Sequence, residues 1–229
     1  MIEVKEVEKN YGRKKILKGV SFTANKGEIT CLIGINGVGK TTVLNAIMAL
    51  TPINKGQILI DGLPLDKTTF EKIAFIPDTT TMLPQMTITE AMEFMKDFYK
   101  CWNQERATEL LAFFRLNQRD RIASLSKGNA AKVNLLLGLA LNVDYVLMDE
   151  PFSGIDMFSR EEIANVFTSH LLENRAVIIT THEVGDIEHL IDKVVLLDDG
   201  MVTKEFSAEE ARENEGKSVI DVMREVYQR

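Results

Sequence analysis

Residues 31 to 42, CLIGINGVGKTT, set three glycines, a lysine and two threonines directly behind an apolar run. The spacing from Gly34 through Gly37 and Gly39 to Lys40 and Thr41 is that of a phosphate-binding loop. Glu28 to Ile33 reads as the strand that this pattern requires in front of it. Backbone amides of such a loop aim at phosphate oxygens, because glycine tolerates backbone angles that a side chain would obstruct. A helix is predicted next, with Val43, Leu44, Ile47 and Met48 at helical spacing, and its positive end adds to the grip. Lys40 is then expected at the β- and γ-phosphates and Thr41 on Mg²⁺, with Asn36, Gly37, Val38, Gly39 and Thr42 completing the cradle.

Before the loop, Ile2, Val4, Val7, Leu17, Val20 and Phe22 alternate with polar residues around Tyr11-Gly12-Arg13, predicting antiparallel strands joined by a turn. After it, Gln57 to Gly62 predicts a strand ending in a turn, and Lys72 to Pro77 a short buried strand. From about 80 to 142 the pattern becomes helical, as expected of a lobe inserted between core strands. Thr87 and Glu90 have the spacing of a capping box, and Met92, Phe94 and Met95 continue that helix, where core packing is the ordinary use of methionine.

Three short apolar strands follow. Tyr145 to Met148 runs into Asp149-Glu150-Pro151, Val177 to Thr180 ends at Thr181-His182, and Val194 to Leu197 ends at Asp198-Asp199-Gly200. Strands alternating with helices predict an α/β fold with a mostly parallel sheet, and polar residues at strand ends are where such sheets hold ligands. An Asp-Glu pair alone reads as ordinary surface acid. Behind Val146-Leu147-Met148, Asp149 becomes the expected acidic partner of a phosphate-bridging metal, and Glu150 the group that polarises an attacking water. A histidine at a strand end is usually structural, but His182 ends a strand that could neighbour those carrying Lys40 and Asp149.

Bulk properties narrow the function classes. The chain has 229 residues, 45% of them hydrophobic, which allows one substantial core with a smaller lobe. Its net charge of −7 disfavours a nucleic-acid partner. No stretch approaches the ~18 consecutive apolar residues that read as a membrane span, and the N-terminus lacks a signal-peptide core, so a cytoplasmic location is expected. Cys31 and Cys101 give no disulfide framework and read as ordinary thiols. The expected division is 1–206, with a tail over 207–229. In that tail Ser207 and Glu210 would cap a short helix, and Val219, Val222, Met223, Val226 and Tyr227 share one helical face.

The ordered set GINGVGKTT at 34–42, LSKGN at 125–129, VLMDEP at 146–151, SGID at 153–156 and TTHE at 180–183 resembles the ATP-binding subunit of ABC transporters over nearly the whole chain. The resemblance implies a P-loop NTPase core, an antiparallel β lobe and an inserted α-helical lobe. It implies ATP and Mg²⁺ as cofactors, ATP hydrolysis, and a second ATP-binding subunit, the same or different, packed head to tail. Ser126 and Gly128 of one subunit would cap the γ-phosphate held by Lys40 of the other, with a helix over Asn129 to Leu141 aiming its dipole across the interface. It also makes Asp156 a contact to the opposite subunit, His182 the switch histidine, and Tyr11 the aromatic that stacks on adenine; the other reading of Tyr11 is a turn tyrosine lying on the β lobe.

The sequence departs from the family pattern at two positions: Asp78 stands where glutamine is usual, and Asn129 replaces the signature glutamine. A carboxylate at 78 would bind Mg²⁺ more strongly than an amide but adds negative charge beside the phosphates. Function divides between an engine subunit bound to the inner face of the membrane through a transmembrane permease, in export, and a permease-free, ATP-gated clamp or assembly factor. The permease groove is expected near 78 to 100, with Met82, Met86, Met92 and Met95 available to it.

Overall fold

The computed structural model describes residues 1–172, 174–185 and 187–227. In chain order the strands are β1 (Ile2–Tyr11), β2 (Lys14–Ala24), β3 (Ile29–Ile33), β4 (Lys55–Ile60), β5 (Leu63–Pro64), β6 (Ile73–Ile76), β7 (Tyr145–Asp149), β8 (Ala176–Thr181), β9 (Lys193–Asp198) and β10 (Met201–Ser207). The α-helices are α1 (Lys40–Ile47), α2 (Lys67–Phe70), α3 (Ile88–Phe98), α4 (Gln104–Phe113), α5 (Lys127–Leu139), α6 (Met157–Phe167), α7 (Ala208–Glu215) and α8 (Val219–Tyr227).

Two sheets result. An antiparallel sheet runs β2-β1-β4-β5, and a six-stranded sheet runs β10-β9-β3-β8-β7-β6. In the second sheet β9, β3, β8, β7 and β6 are parallel and only β10 runs against its neighbour. Strand alternation divides the core between its two faces. Cys31, Ile33, Val146, Met148, Ile179 and Leu196 join one apolar cluster with the helical lobe, α6 and the tail. Leu32, Leu147, Ile178, Val195 and Leu197 join the other, with α1 and the antiparallel lobe. Because both faces are covered, the central strands read as unbroken apolar runs.

The helices α3, α4 and α5 leave the sheet after β6 and return at β7, its parallel neighbour. Thr87 and Glu90 do form the capping box: Thr87 Oγ1 accepts the Glu90 amide at 3.2 Å and Glu90 accepts the Thr87 amide at 2.7 Å. The helix expected over Asn129 to Leu141 instead begins at Lys127 and ends at Leu139. Ser126 sets its start, its Oγ accepting the Asn129 amide at 3.2 Å, so the helix opens two residues before the expected point. In the tail, Ser207 caps α7 alone, through the Glu210 amide at 3.3 Å. On α8, Val219 and Val222 are fully buried, and Met223, Val226 and Tyr227 pack against the main cluster. Gln228 and Arg229 lie outside the described residues.

Candidate functional site

The loop between β3 and α1 is built for an anion. Gly37 and Gly39 take left-handed angles, φ +83° and +117°, and a Cβ on Gly39 would lie 2.8 Å from Leu17 Cδ2. At the start of the loop, a Cβ on Gly34 would lie 2.5 Å from the Leu197 carbonyl oxygen, so the first peptide is pressed against the end of β9. The amino end of α1 has no side-chain cap and no acidic residue in its first turn. Every other α-helix among the described residues has a capping side chain: Asp66, Thr87, Asn103, Ser126, Asp156, Ser207 and Ser218. The first amides of α1 therefore remain available to an external acceptor, with the helix dipole behind them. Ile35, Asn36, Gly37 and Thr41 are exposed, Thr42 is half-buried, and Val38 and Lys40 are buried.

Three strand ends converge on this loop. Lys40 Nζ donates to the Gly34 carbonyl at 2.7 Å and lies 3.1 Å from Glu150 Oε1. Asp149 is 4% exposed and accepts hydrogen bonds from Thr41 Oγ1 at 3.1 Å and Thr180 Oγ1 at 2.5 Å. Burial raises the Asp149 carboxyl above its usual range; the two threonine hydrogen bonds oppose this, and the charges of Asp78 and Glu150 reinforce it. Glu150 itself is left-handed at φ 47°, and its amide donates to both the carbonyl and the hydroxyl of Thr180. Its other carboxylate oxygen, Oε2, lies 2.8 Å from His182 Nδ1, within hydrogen-bond distance. His182 Nε2 faces Glu183 Oε1 at 3.7 Å, and Glu183 pairs with Arg160 of α6 at 3.1 Å.

Lys40, Thr41, Asp149, Glu150 and His182 are thus brought together as the motifs implied, and Thr180 joins them. The sequence signal for Thr180 is a threonine ending the apolar run Val177 to Ile179; the structure buries it fully, beside Asp149 in the β7–β8 register. Cys31, buried just before the loop, has its thiol pushed up by burial and by the Glu150 charge, and it stays an inert neutral group.

The remaining candidates sit further out. Asp78 is exposed and lines a cleft of about 290 Å³ with Lys127, Asn134, Glu150 and Ser153. It acts on Asp149 through charge. Among the described residues no three His, Cys, Asp or Glu side chains converge as a metal centre. Thr41 and Asp149 still fit Mg²⁺, which is usually held by one or two carboxylates together with substrate phosphates and water. Ser126 is exposed and caps its own helix, and Asp156 likewise caps α6 through the Ser159 amide at 3.0 Å. Gly128 is a contact point between α5 and α6: a Cβ there would lie 2.4 Å from Ser159 Oγ. Tyr11 is half exposed, with Lys9 Nζ 4.8 Å above its ring and its hydroxyl 3.3 Å from Thr51. That anchor lies beyond the carboxyl end of α1, about 12 Å of helix from the loop.

Residues 17–153, more than half of the chain, match the model of the ABC transporter family. The linearmycin resistance ATP-binding protein LnrL of Bacillus subtilis is 33% identical over 87% of this chain and 67% of its own length. The aliphatic sulfonates import ATP-binding protein SsuB of Corynebacterium glutamicum is 32% identical over 90% of this chain and 84% of its own. Among solved structures, the dimeric post-hydrolysis state of the cassette MJ0796 bound to ADP and Pi superposes with a TM-score of 0.78. It is 25% identical over 90% of this chain and 98% of that one. With the family's motifs falling on the loop, the acidic pair and the histidine whose contacts are given above, the chain belongs to the ABC transporter family, as an ATP-binding subunit and ATPase.

Proposed function

We propose that this ATPase drives a separate transmembrane permease in export, working from the inner face of the membrane as one half of an ATP-closed dimer. The uncapped, glycine-lined amino end of α1 beside buried Lys40 is the observation that carries the nucleotide part of this reading. Phosphate oxygens take the α1 amides and compete with Glu150 for Lys40, freeing one Glu150 oxygen. Thr41 and Asp149 would hold Mg²⁺, which when bound offsets the charge of the β- and γ-phosphates. Glu150 then takes a proton from the attacking water, His182 holds the Glu150 carboxylate in position through Nδ1, and the bond from the γ-phosphorus to the β,γ-bridging oxygen breaks to give ADP and phosphate. Asp78 would approach the metal side of this site through its charge, and Tyr11 would stack on adenine with the ring face that Lys9 leaves open. Ser126, Gly128 and Asp156 would face the opposite subunit.

An apolar groove of about 840 Å³, lined by Phe75, Met82, Met86, Phe94, Phe98 and Leu141 among others, supports the permease part. Phe94 and Phe98 stack at 4.8 Å and are 41% and 72% exposed, which is costly for a surface without a partner. Among the described residues no helix is long and apolar enough to cross a membrane, so the span would come from the other protein. Export is the role printed in the name of a relative 28% identical over 94% of this chain, the lipopolysaccharide export system ATP-binding protein LptB of Haemophilus influenzae, against an import role in that of SsuB. The test is to co-express the chain with any multi-span protein encoded beside it, purify from membranes, and assay Mg²⁺-dependent phosphate release. Co-purification lost in Phe98→Asp while turnover persists supports the reading. A purely soluble complex with active ATPase points instead to the permease-free clamp.

A further inference from the structure

The tail carries an interaction that neither the motifs nor the matched family segment, which ends at residue 153, accounts for. The Tyr227 hydroxyl lies 3.2 Å from the Ile33 carbonyl oxygen and 3.1 Å from that of Leu197. One phenolic proton is thus shared between the last carbonyl of β3 and the end of β9, and both distances are long for O–H···O, as sharing requires. Those two points are where the phosphate loop leaves the sheet. Gly34 follows Ile33, its Cα faces the same Leu197 carbonyl, and its own carbonyl accepts from Lys40 Nζ at 2.7 Å. The hydroxyl therefore sits one peptide away from the carbonyl that orients the lysine. Burial, with the charge of Asp198, pushes the phenol up to about 12, so it remains a donor throughout the working pH range.

The other end of α8 packs on the segment that follows His182. The Val219 amide donates to Glu188 Oε1 at 2.8 Å, and Ile220 Cδ1 lies 3.9 Å from where a Cβ of Gly185 would be, in the segment that follows His182. Val219 and Val222 are fully buried beneath this span, so the helix is fixed and Tyr227 is aimed by packing.

We infer that Tyr227 is a positioning residue for nucleotide binding, clamping the ends of β3 and β9 so that the loop starting at Gly34 presents Lys40 and its amides to phosphate. The inference rests on reading residues 34–42 as the triphosphate grip. Tyr227→Phe keeps the ring and removes only the proton that joins the two carbonyls. Its dissociation constant for a non-hydrolysable ATP analogue with Mg²⁺, measured well below the melting temperature, should rise about five- to tenfold, the equivalent of losing one hydrogen bond. Leu110→Ala, a core truncation on α4 that leaves α8 and its hydroxyl in place, should lower the melting temperature at least as far and leave that constant within twofold.

The unmodified protein provides a second measurement. Because coupling is reciprocal, binding of the analogue must slow amide hydrogen exchange over residues 219–227 beyond the uniform slowing that ligand binding gives to amides exchanging by global unfolding. Affinity within twofold of the parent in Tyr227→Phe overturns the inference, as does an equal loss in Leu110→Ala, or unchanged exchange in α8. Should Tyr227→Phe not fold, the exchange measurement alone decides. Lys40→Ala, run alongside, separates the two readings: if it binds the analogue as the parent does, the phosphate grip itself has failed, whereas loss there with Tyr227→Phe unaffected removes only the role of Tyr227.

Discussion

Lys40 Nζ lies 3.1 Å from Glu150 Oε1, so the cation that would grip the γ-phosphate and the carboxylate that would activate water are already ion-paired with each other. Phosphate and Glu150 would be rivals for one ammonium, and both partners of the pair are largely buried, at 5% and 15% side-chain exposure. Glu150→Gln removes the rival charge and the base together. It should bind Mg²⁺-ATP several-fold more tightly while phosphate release falls by about 10²-fold or more, the usual weight of a general base. Equilibrium binding beside a phosphate-release assay checks both halves; weaker binding would contradict the competition.

Asp149 is expected to trade stability for function. Its folded pKa is raised, so its contribution to stability is complete below the unfolded value of about 3.9 and is lost as pH rises through the folded value. Near pH 7.5 the buried charge is a burden that Asp149→Asn relieves. The substitution should stabilise the nucleotide-free protein by about 1 kcal/mol, or about 2–4 °C in Tm for a chain of this size. The gain should shrink toward pH 4, and the Mg²⁺-dependent part of ATP affinity should be lost. Thermal melts at the two pH values with a magnesium titration test the claim, and a variant that melts lower at pH 7.5 would refute it.

Gly128 is predicted to matter first for packing within its own chain. A Cβ would sit 2.4 Å from Ser159 Oγ and 2.9 Å from Ser159 Cβ. Gly128→Ala should cost about 1–3 kcal/mol by overpacking. Adding Ser159→Gly removes both clashing atoms and should recover most of the loss, a coupling visible in a double-mutant cycle of denaturant melts. If the two losses simply add, the contact does not explain the glycine.

Asp78 places an exposed negative charge near Asp149. Asp78→Gln should strengthen Mg²⁺-ATP binding by about 1.5- to fivefold, the range spanned by 0.2–1 kcal/mol for exposed charges, and the gain should fade with added salt. Turnover should rise with it. Unchanged affinity at both low and high ionic strength would leave Asp78 with no electrostatic role.

The motifs exposed the site where chemistry and local spacing coincide. Lys40 and Thr41 follow glycines within a few residues of each other, and Asp149 and Glu150 end an apolar run, so short windows of sequence suffice to find them. Thr180 reads in the sequence only as the end of a strand, because its importance comes from the register that sets it beside Asp149, a relation across 31 residues. Gly128 reads as a dipole-bearing helix start, yet its neighbour is Ser159 of another helix. The start of α5 was misplaced by two residues because Ser126 takes the cap, a choice decided by one side-chain hydrogen bond. The amphipathic face of α8 was legible from its spacing, whereas the reach of Tyr227 to Ile33, 194 positions away, depends on how the whole sheet is assembled.

The helical lobe departs from Ile76 and rejoins at Tyr145, on strands that lie side by side. Because the two strands run parallel, everything from 77 to 144 is one long detour that leaves at the carboxyl end of β6 and returns at the amino end of its neighbour, three residues of strand away. Such a detour can be lengthened, shortened or exchanged for a relative's without rethreading a single strand. The tips of β3, β7 and β8 have no such freedom, and chimeras that swap partner recognition should be cut at these two points and keep Asp78, Ser126 and Gly128 of this chain.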